Sequence, residues 1–505
     1  KLTDIQKVTQ KIAIFDTENN INEFENFRYH SYPFNQIGGN HLGLVEFMTD
    51  THPVRNLREA SDYIKRVEKF DESLNANLIW LEEQKKLGIF APKYVFDHVI
   101  TQLKELIAYE DSDNPLMQVF ARKVDALDID EQKSEELKTA LSAVIASDVK
   151  SGFKSILGFF ESNYEYANTN HGVWSLPNGD AFYEARLRSY TTTDYSAEEI
   201  HQIGLSEVDR IGARMKEIFL QLGYQVNKPV GEMMNDLNEN PDFLYPDTPD
   251  RKEIVVADYN QMVKEAEEDV RPYFARFPVS PVEVRAIPEY SEQTAAGGYY
   301  QAPALDGSRP GVFYANLYDI KQTPTFGMRT LTFHEAVPGH HFQIALNQEN
   351  EDLTLYRKMG YRTSAFTEGW ALYSEQLAVE VGMTKNLYDE LGVLQSEMFR
   401  ANRLVVDTGM HYKRWTREEA MAYMKKTTGM SDTEVRVEIE RYIVWPGQAT
   451  SYKMGMLKIL ELRKKAQDAL GEKFDIRKFH TVVLDQGIVP LFILEDIIDE
   501  WIATS

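Results

Sequence analysis

Apolar residues recur at helical spacing over long stretches of the chain. Within residues 55–150, the segment REASDYIKRVEKFDESLNANLIWLEEQKKLG places four of them on one stripe: Ile64, Val67, Leu74 and Leu78. A second segment, DYSAEEIHQIGLSEVDRIGARMKEIFLQLG, carries Ser196 as a predicted N-cap and Gly223 as a predicted stop. These patterns predict a protein built mainly from helices that each bury one face.

The pattern changes between residues 281 and 320. PVEVRAIP alternates in polarity, and GGYYQAPALDGSRPGVFYANLYD places a turn rich in Gly and Pro before a strand-like run at 312–317. Helices are predicted again over 324–350 and 364–381, and from there to the C-terminus. The predicted fold class is mainly α with a small β-sheet, that is, α+β.

We find no internal repeat or Ser/Gly-rich linker, so the sequence predicts one large unit over residues 1–505. We expect residues 1–280 to form a helical scaffold on one side of a cleft. Residues 281–505 would carry the small sheet and the helices of the active site.

Charge and composition exclude several function classes. The chain has 55 Lys and Arg against 79 Asp and Glu, a formal net charge of −24, which repels nucleic acid and anionic membrane surfaces. It has no cysteine, so disulfides, a thiol nucleophile and thiolate metal ligands are excluded. No apolar run is long enough for a membrane span. A metal site would therefore use His, Asp and Glu.

The run FHEAVPGHHF, residues 333–342, resembles a zinc-protease helix with altered spacing. His334 and Glu335 open the motif, but Pro338 stands where the second His is needed. On a regular helix His340 would point about 120° away from His334, and His341 would lie about 10 Å along the axis. An undistorted helix would therefore not bring either histidine to a shared ion.

Pro338 and Gly339 provide a way to change that geometry. Proline lacks the N–H that would bond to the carbonyl of His334, and glycine tolerates unusual backbone angles, so the sequence predicts a bulge at residues 337–339. An outward bulge would bring His340 beside His334. His341, the alternative ligand, would serve only if the helix broke more severely.

A later segment, TEGWALYSEQL, supplies two acidic candidates. Glu368 lies on a predicted helix whose buried stripe contains Phe366, Trp370, Tyr373 and Leu377. A carboxylate beside such a stripe is costly unless it is paired, and a metal ion is one possible partner, a salt bridge to an arginine another. Glu375, two turns further on, is a candidate to orient a metal ligand from the second coordination shell, or an exposed helix residue.

Four motifs together resemble a known family: HEAVPGHHFQ, EGWALYSE, RLVVDTGMH and RYIVWPGQATSYKMG. They are similar to the bacterial family catalogued as domain of unknown function 885, which is grouped with the gluzincin metallopeptidases, and the resemblance covers roughly residues 20–500. It implies a zincin-like fold with a deep cleft, in the style of angiotensin-converting-enzyme-like and thimet-oligopeptidase-like peptidases. It also implies Zn²⁺ held by His334, His340 and Glu368, with Glu335 as general base. The two extra residues between the histidines depart from the usual motif.

The resemblance also indicates a donor for the oxyanion of the reaction. Similar peptidases use a Tyr or His from a C-terminal helix, which indicates Tyr442 or Tyr452, with His411 as a further candidate. Each tyrosine has the alternative role of a core aromatic residue with a satisfied hydroxyl group.

Peptide binding is predicted at a strand edge. Residues 311–317 could pair with an extended peptide, with Tyr299, Tyr300 and Asn316 beside it. Arg441 and Lys453 are candidates to bind a terminal carboxylate of the substrate. An ordinary turn and solvated charges are the alternative interpretations.

The leading hypothesis is a zinc-dependent peptidase that takes peptide substrates. A catalytically inactive peptide-binding module and a metal-dependent amidohydrolase that is not a peptidase remain open. Because the chain does not begin with Met, we expect the bacterial periplasm or cell envelope if a signal peptide has been removed, and the cytoplasm otherwise. The oligomeric state has no sequence signal.

Overall fold

The computed structural model describes residues 2–289, 292, 296–319, 321 and 323–505, and helices dominate this part of the chain. The helices are α1 (Asp4–Asn26), α2 (Asn40–Glu46), α3 (Leu57–Val67), α4 (Phe70–Lys86), α5 (Lys93–Ala108), α6 (Pro115–Asp125), α7 (Glu131–Val144), α8 (Lys150–Ser162), α9 (Gly179–Thr191), α10 (Ala197–Gln221), α11 (Val230–Asn238), α12 (Arg251–Asp269), α13 (Thr325–Glu335), α14 (His340–Glu349), α15 (Ser364–Glu380), α16 (Leu387–His411), α17 (Arg417–Thr428), α18 (Asp432–Val444), α19 (Ser451–Leu470), α20 (Ile476–Asp485) and α21 (Leu491–Thr504). The strands are β1 (Phe34–Asn35), β2 (Gly38–Gly39), β3 (Val282–Ala286), β4 (Gly298–Gln301) and β5 (Gly311–Ala315). The predicted fold class, mainly α with small sheets, is confirmed.

Local signals placed several of these elements correctly. The side chain of Ser196 accepts a hydrogen bond from the backbone N–H of Glu199, and Glu199 bonds back to Ser196 in a capping box at the start of α10. Gly223 adopts a positive φ of 87° just after the same helix. No helix in the described ranges combines the length and the apolarity needed to cross a bilayer.

The chain divides into two compact units, Phe24–Gly179 and a second unit made of Lys1–Glu23 with Asp180–Ser505. The prediction of one large unit over residues 1–505, with residues 1–280 and 281–505 on the two sides of a cleft, stays a prediction. One observed boundary falls inside α1 and the other at the start of α9. Because both boundaries lie in helical segments, no Gly- or Ser-rich linker marks them.

The unit Phe24–Gly179 is helical apart from the antiparallel pair of β1 and β2. Helix α8 packs against α4 and α5. Phe160 of α8 is central to this packing, since its ring lies 4.7 Å from that of Phe96 and 6.1 Å from that of Phe34. All three rings are almost fully buried.

The larger unit contains the predicted sheet and the candidate site. The sheet has the order β3-β5-β4, in which β3 is parallel and β4 antiparallel to β5. The strand-like run that was expected to offer a free edge is therefore the central strand, since β5 is paired on both sides. A peptide could add only at an outer strand of this sheet.

Two glycines let the helices α15 and α19 approach closely. A Cβ atom added to Gly369 would lie 2.5 Å from the backbone of Gly455, and one added to Gly455 would lie 1.9 Å from the carbonyl oxygen of Ala365. These glycines belong to the EGWALYSE and SYKMG motifs. The two motifs thus bring the backbones of two helices into contact beside Glu368.

Candidate metal centre

The FHEAVPGHHF motif forms a break between two helices. Helix α13 ends at Glu335 and α14 begins at His340, so the single helix predicted over residues 324–350 is wrong at this point. The Val337–Pro338 peptide bond is cis. The carbonyl of Pro338 accepts hydrogen bonds from Trp370 Nε1 at 2.8 Å and Ser374 Oγ at 3.2 Å. Helix α15 therefore holds the break in place.

Gly339 is required by the close approach of the backbone at this break. A Cβ atom at this position would lie 2.0 Å from the carbonyl oxygen of His334 and 2.3 Å from that of Phe333. No side chain fits at these distances, because real Cβ contacts are never so short. Only glycine at this position allows the backbone of the break to approach the end of α13 this closely.

Substitution Gly339→Ala is expected to destabilise the fold by about 3 kcal/mol, the upper end of the usual cost of overpacking. Urea unfolding monitored by circular dichroism would measure the change. Gly327→Ala is the matched control, since the nearest atom to an added Cβ on that glycine of α13 is 3.8 Å away. It should stabilise the helix by roughly 0.5–1 kcal/mol. Equal behaviour of the two variants would contradict the steric argument.

Despite the complete break, His340 and not His341 lies beside His334. The rings of His334 and His340 are 4.7 Å apart and nearly perpendicular. Glu368 Oε2 lies 3.5 Å from His334 Nε2 and 3.4 Å from His340 Nε2. Two ligand atoms at 2.0–2.2 Å from a tetrahedral zinc ion are roughly 3.4 Å apart. The spacing of these groups therefore fits zinc.

Glu335 completes the cluster. One ligand atom each from His334, Glu335 and His340 lies within 4.8 Å of the others, and all three residues are buried. Glu335 Oε2 has no hydrogen-bond partner among the described residues. Glu368 is the better candidate for the third ligand, because its oxygen is closer to both histidine nitrogens. Glu335 is left with a buried oxygen that can accept a proton.

Glu375 orients His334 from the other side. Its Oε1 lies 2.6 Å from His334 Nδ1, and both side chains are buried. An ionised carboxylate only accepts hydrogen bonds, so Nδ1 carries the proton, and in the neutral ring Nε2 has the free lone pair. Glu375 is therefore not an exposed helix residue, and its contact with His334 agrees with a role in orienting that ring.

The cluster attracts positive charge. Three carboxylates, from Glu335, Glu368 and Glu375, converge on two imidazoles. Burial lowers the pKa of His334, but its hydrogen bonds to Glu368 and Glu375 outweigh burial and raise that pKa to about 10. Burial likewise raises the pKa of Glu368, yet the adjacent His340 and His334 hold it well below its ordinary value. A divalent cation would balance this excess of negative charge.

His341 has a different role. Its Nδ1 is 2.9 Å from the hydroxyl of Tyr300 on β4, and burial lowers its pKa to about 4. An added Cβ on Gly311 would lie 2.7 Å from the same nitrogen. His341 therefore faces the sheet, while its neighbour His340 faces His334.

Two of the three candidate oxyanion donors are engaged elsewhere. The hydroxyl of Tyr442 donates to Glu438 Oε2 at 2.6 Å and accepts from Arg403 Nε at 2.9 Å. The Nε2 atom of His411 lies 3.0 Å from the carbonyl oxygen of Tyr442, and burial lowers the pKa of His411 to about 4. Both residues are fully buried. The Tyr442 hydroxyl and the Nε2 atom of His411 are therefore not placed to donate to a substrate.

Tyr452 remains as the third candidate. It forms an apolar cluster with Leu372 and Met456, and Leu372 lies one turn after Glu368 on α15. Its hydroxyl accepts a hydrogen bond from Arg441 Nη2 at 3.4 Å. No acceptor for its own hydroxyl proton is found in the described part of the chain. Tyr452 thus packs beside helix α15, and its hydroxyl group can donate a hydrogen bond.

The two residues predicted to bind a substrate carboxylate, Lys453 and Arg441, differ in how deeply they are buried. Lys453 is fully buried, with its Nζ 2.6 Å from Glu397 Oε1 and 2.9 Å from Glu207 Oε2. Such a buried pair is a structural element, so the prediction that Lys453 meets a substrate carboxylate is corrected. The side chain of Arg441 is 22% exposed, which leaves it accessible to a ligand.

Asn316 is also structural, because its amide donates to the carbonyl oxygens of Glu292 at 2.8 Å and Ala296 at 3.2 Å. It ties a loop to β5 and is not placed to hold a peptide backbone. Tyr299 is half-exposed on β4 and stacks on Tyr314 at 4.9 Å. Among the predicted sheet residues, Tyr299 is the one with an open face.

The motifs behind the family resemblance meet in space. HEAVPGHHFQ contacts EGWALYSE through His334, Glu368 and Glu375. In RLVVDTGMH, Asp407 Oδ1 accepts the N–H of Gly447 in the WPGQ run at 3.0 Å. Arg403, the first residue of RLVVDTGMH, was not predicted as a site residue, and neither was Arg400 one turn before it on α16. Nothing in the sequence distinguishes Arg400 from a surface charge.

Comparisons with known proteins find one matching family and several similar structures. A family model for bacterial proteins of unknown function, DUF885, matches residues 1–498, and the comparison with curated proteins gives no match. A structure described as a "putative lipoprotein" from Colwellia psychrerythraea is 39% identical, with a TM-score of 0.95 over 100% of this chain and 88% of that one. A "putative lipoprotein of unknown function" from Shewanella oneidensis is 17% identical, with a TM-score of 0.75 over 98% of this chain and 88% of that one, and shows the fold alone. The chain therefore belongs to the DUF885 family of bacterial proteins.

Proposed function

We propose that this protein is a zinc-dependent peptidase in which His334, His340 and Glu368 bind the metal. The observation that supports this most strongly is the convergence of these three side chains, with 3.4 and 3.5 Å between the glutamate oxygen and the two nitrogens. The donor set of two imidazoles and one carboxylate is the usual one for a catalytic zinc ion. We further propose the zincin-like fold with a cleft that the sequence motifs implied.

Bound Zn²⁺ supplies Lewis acidity, which lowers the pKa of a water molecule toward ~7 and polarises a carbonyl group. Glu335 accepts the proton of the attacking water on its free Oε2 and transfers it to the leaving amine. Glu375 keeps the proton of His334 on Nδ1, so that Nε2 stays turned toward Glu368. Tyr452 donates a hydrogen bond from its hydroxyl group to the oxyanion.

The substrate would bind as an extended strand along β4. In the described residues this strand pairs with β5 alone, and Gly298 lies against Leu331 of the metal-site helix α13. A peptide added at this edge would therefore run beside the metal-binding residues. Tyr299 offers its exposed face there.

We place the protein in the bacterial cell envelope. The support for this location is the description of the 39% identical structure from Colwellia psychrerythraea as a lipoprotein.

A hydrolysis screen tests the proposed function. Zinc-loaded protein would be incubated with blocked peptides, unblocked peptides and small amides, before and after treatment with a chelator, and products would be identified by mass spectrometry. We expect peptide cleavage that chelation abolishes and added zinc restores. Cleavage confined to small amides would favour an amidohydrolase. Peptide binding without any cleavage would favour an inactive peptide-binding module.

A further inference from the structure

Arg403 of α16 and Arg441 of α18 share one carboxylate, and Arg400 lies one turn before Arg403 on α16. Arg403 Nη2 lies 3.0 Å from Glu438 Oε2, and Arg441 Nη1 lies 3.7 Å from Glu438 Oε1. Arg400 donates instead to the hydroxyl of Ser396 at 2.8 Å. Across the described ranges, Glu438 is the only carboxylate that forms an ion pair with any of the three. The group therefore carries an excess of two positive charges in a chain whose formal net charge is −24.

Each of these arginines also has a buried nitrogen without an acceptor in the described residues. The atoms are Nε of Arg400, Nη1 of Arg403 and Nε of Arg441. Arg403 is only 3% exposed. A buried N–H that lacks an acceptor is costly, as is an unbalanced buried charge. An anion at the cluster would offset both costs.

Glu438 cannot supply the missing negative charge by itself. Burial raises the pKa of Glu438, but Arg403 and Arg441 outweigh burial and hold that pKa below its ordinary value. Glu438 is therefore ionised, and its negative charge is already included in the excess of two positive charges. Its Oε2 is occupied further by the hydroxyl of Tyr442 at 2.6 Å.

The cluster adjoins the candidate metal centre through Tyr452. The guanidinium carbon of Arg403 lies 4.3 Å from the centre of the Tyr452 ring. Tyr452 also packs against Leu372, one turn after the proposed ligand Glu368. A peptide bound at the metal centre could therefore extend past Tyr452 to the arginines.

We propose that Arg400, Arg403 and Arg441 bind the free C-terminal carboxylate of the peptide substrate. This inference rests on the proposed peptidase function and makes the enzyme a carboxypeptidase in the broad sense, releasing one or a few residues from the C-terminus. Arg441 and the partly exposed Arg400 contact the carboxylate. Arg403, which is almost fully buried, adds to the positive field.

An apolar surface is available beside the cluster for the side chain of the terminal residue. Trp445 is 40% exposed, and its ring lies 5.7 Å from the guanidinium carbon of Arg441. A C-terminal residue with an apolar side chain has a free carboxylate, which Arg441 could bind, and an apolar group, which could pack on the indole of Trp445. This combination fits a peptide terminus better than inorganic phosphate.

The test compares two N-acetylated, uncharged hexapeptide libraries that differ only in a free or an amidated C-terminus. Zinc-loaded wild-type protein should cleave the free acids about tenfold to a hundredfold more efficiently, the range expected for hydrogen bonds to a charged group. Arg441→Gln and Arg400→Gln should each remove most of this preference by lowering kcat/KM for the free acids alone. Arg436→Gln is the matched control and should retain the preference for free acids, since Arg436 lies on α18 like Arg441 but pairs with Glu440.

Equal cleavage of both libraries by the wild-type protein would overturn the inference and leave the peptidase proposal intact. The same conclusion would follow if Arg441→Gln slowed both libraries equally, because Arg441 would then act only through Tyr452. An amidated library containing Glu separates a terminal carboxylate from an acidic side chain. Cleavage of that library at the rate of the free acids, dependent on Arg441, would also contradict the proposal.

A binding measurement does not depend on catalysis. Calorimetry on the Glu335→Gln protein would compare acetyl-trialanine as the free acid and as the amide, with inorganic phosphate as a second probe. We expect tighter binding of the free acid, lost in Arg441→Gln. If this holds while wild-type protein cleaves no peptide, the carboxylate subsite stands and the proposed function fails. Binding of phosphate alone would overturn the subsite.

Discussion

Replacing Glu335 with Gln is expected to slow peptide hydrolysis about 10²- to 10⁴-fold, the usual contribution of a general base. The reason is that an amide cannot accept the proton of the attacking water, whereas the free Oε2 of Glu335 can. Zinc content should stay close to that of the wild-type protein, because Glu368 lies closer to both histidine nitrogens. Steady-state kinetics together with elemental analysis would measure both quantities.

Glu351→Gln is the matched control for this substitution. Glu351 is exposed in the turn after α14, so the same chemical change there should leave both kinetics and zinc content unaltered. A Glu335→Gln protein that retains full activity would contradict the role of this residue. One that loses both zinc and activity would instead make Glu335 a metal ligand.

The pair His340→Gln and His341→Gln is expected to separate two adjacent histidines by their effect on zinc. Loss of His340 should weaken zinc binding by more than about a hundredfold, beyond the 10–100-fold typical of an outer-shell partner. His341→Gln should retain the metal, because His341 faces Tyr300 and not His334. Competition with a chelator of known affinity would give the dissociation constants.

The two variants control for each other, since they carry the same substitution at neighbouring buried positions. Thermal unfolding of both proteins would show whether a lost metal reflects a lost fold. Zinc loss from His341→Gln alone, with retention in His340→Gln, would show that the ligand assignment is wrong. Zinc loss from both at unchanged stability would place both histidines near the ion.

Much of the fold could be predicted because local signals acted alone. The capping box at Ser196, the positive φ of Gly223 and the buried stripe of α15 depend on neighbours in sequence. The break at residues 336–339 was underestimated as a bulge. Trp370 and Ser374 stabilise it through the Pro338 carbonyl, and contacts between helices cannot be read from local spacing.

The candidate site was predictable where chemistry and spacing agreed, as for His334, Glu368 and Glu375. It was not predictable for long side chains whose environment comes from distant helices. Lys453 is buried between Glu207 and Glu397, which no pattern around residue 453 indicates. Arg403 of α16 differs from an ordinary surface charge in its burial and in sharing Glu438 with Arg441 of α18.

The central claim is a zinc ion held by His334, His340 and Glu368. Anomalous diffraction from crystals of zinc-loaded protein, measured above and below the zinc absorption edge, tests it most directly. We predict a single strong peak at about 2.0–2.2 Å from one nitrogen of each histidine and one oxygen of Glu368. No peak at this cluster, or a peak coordinated by His341 in place of His340, would contradict the account.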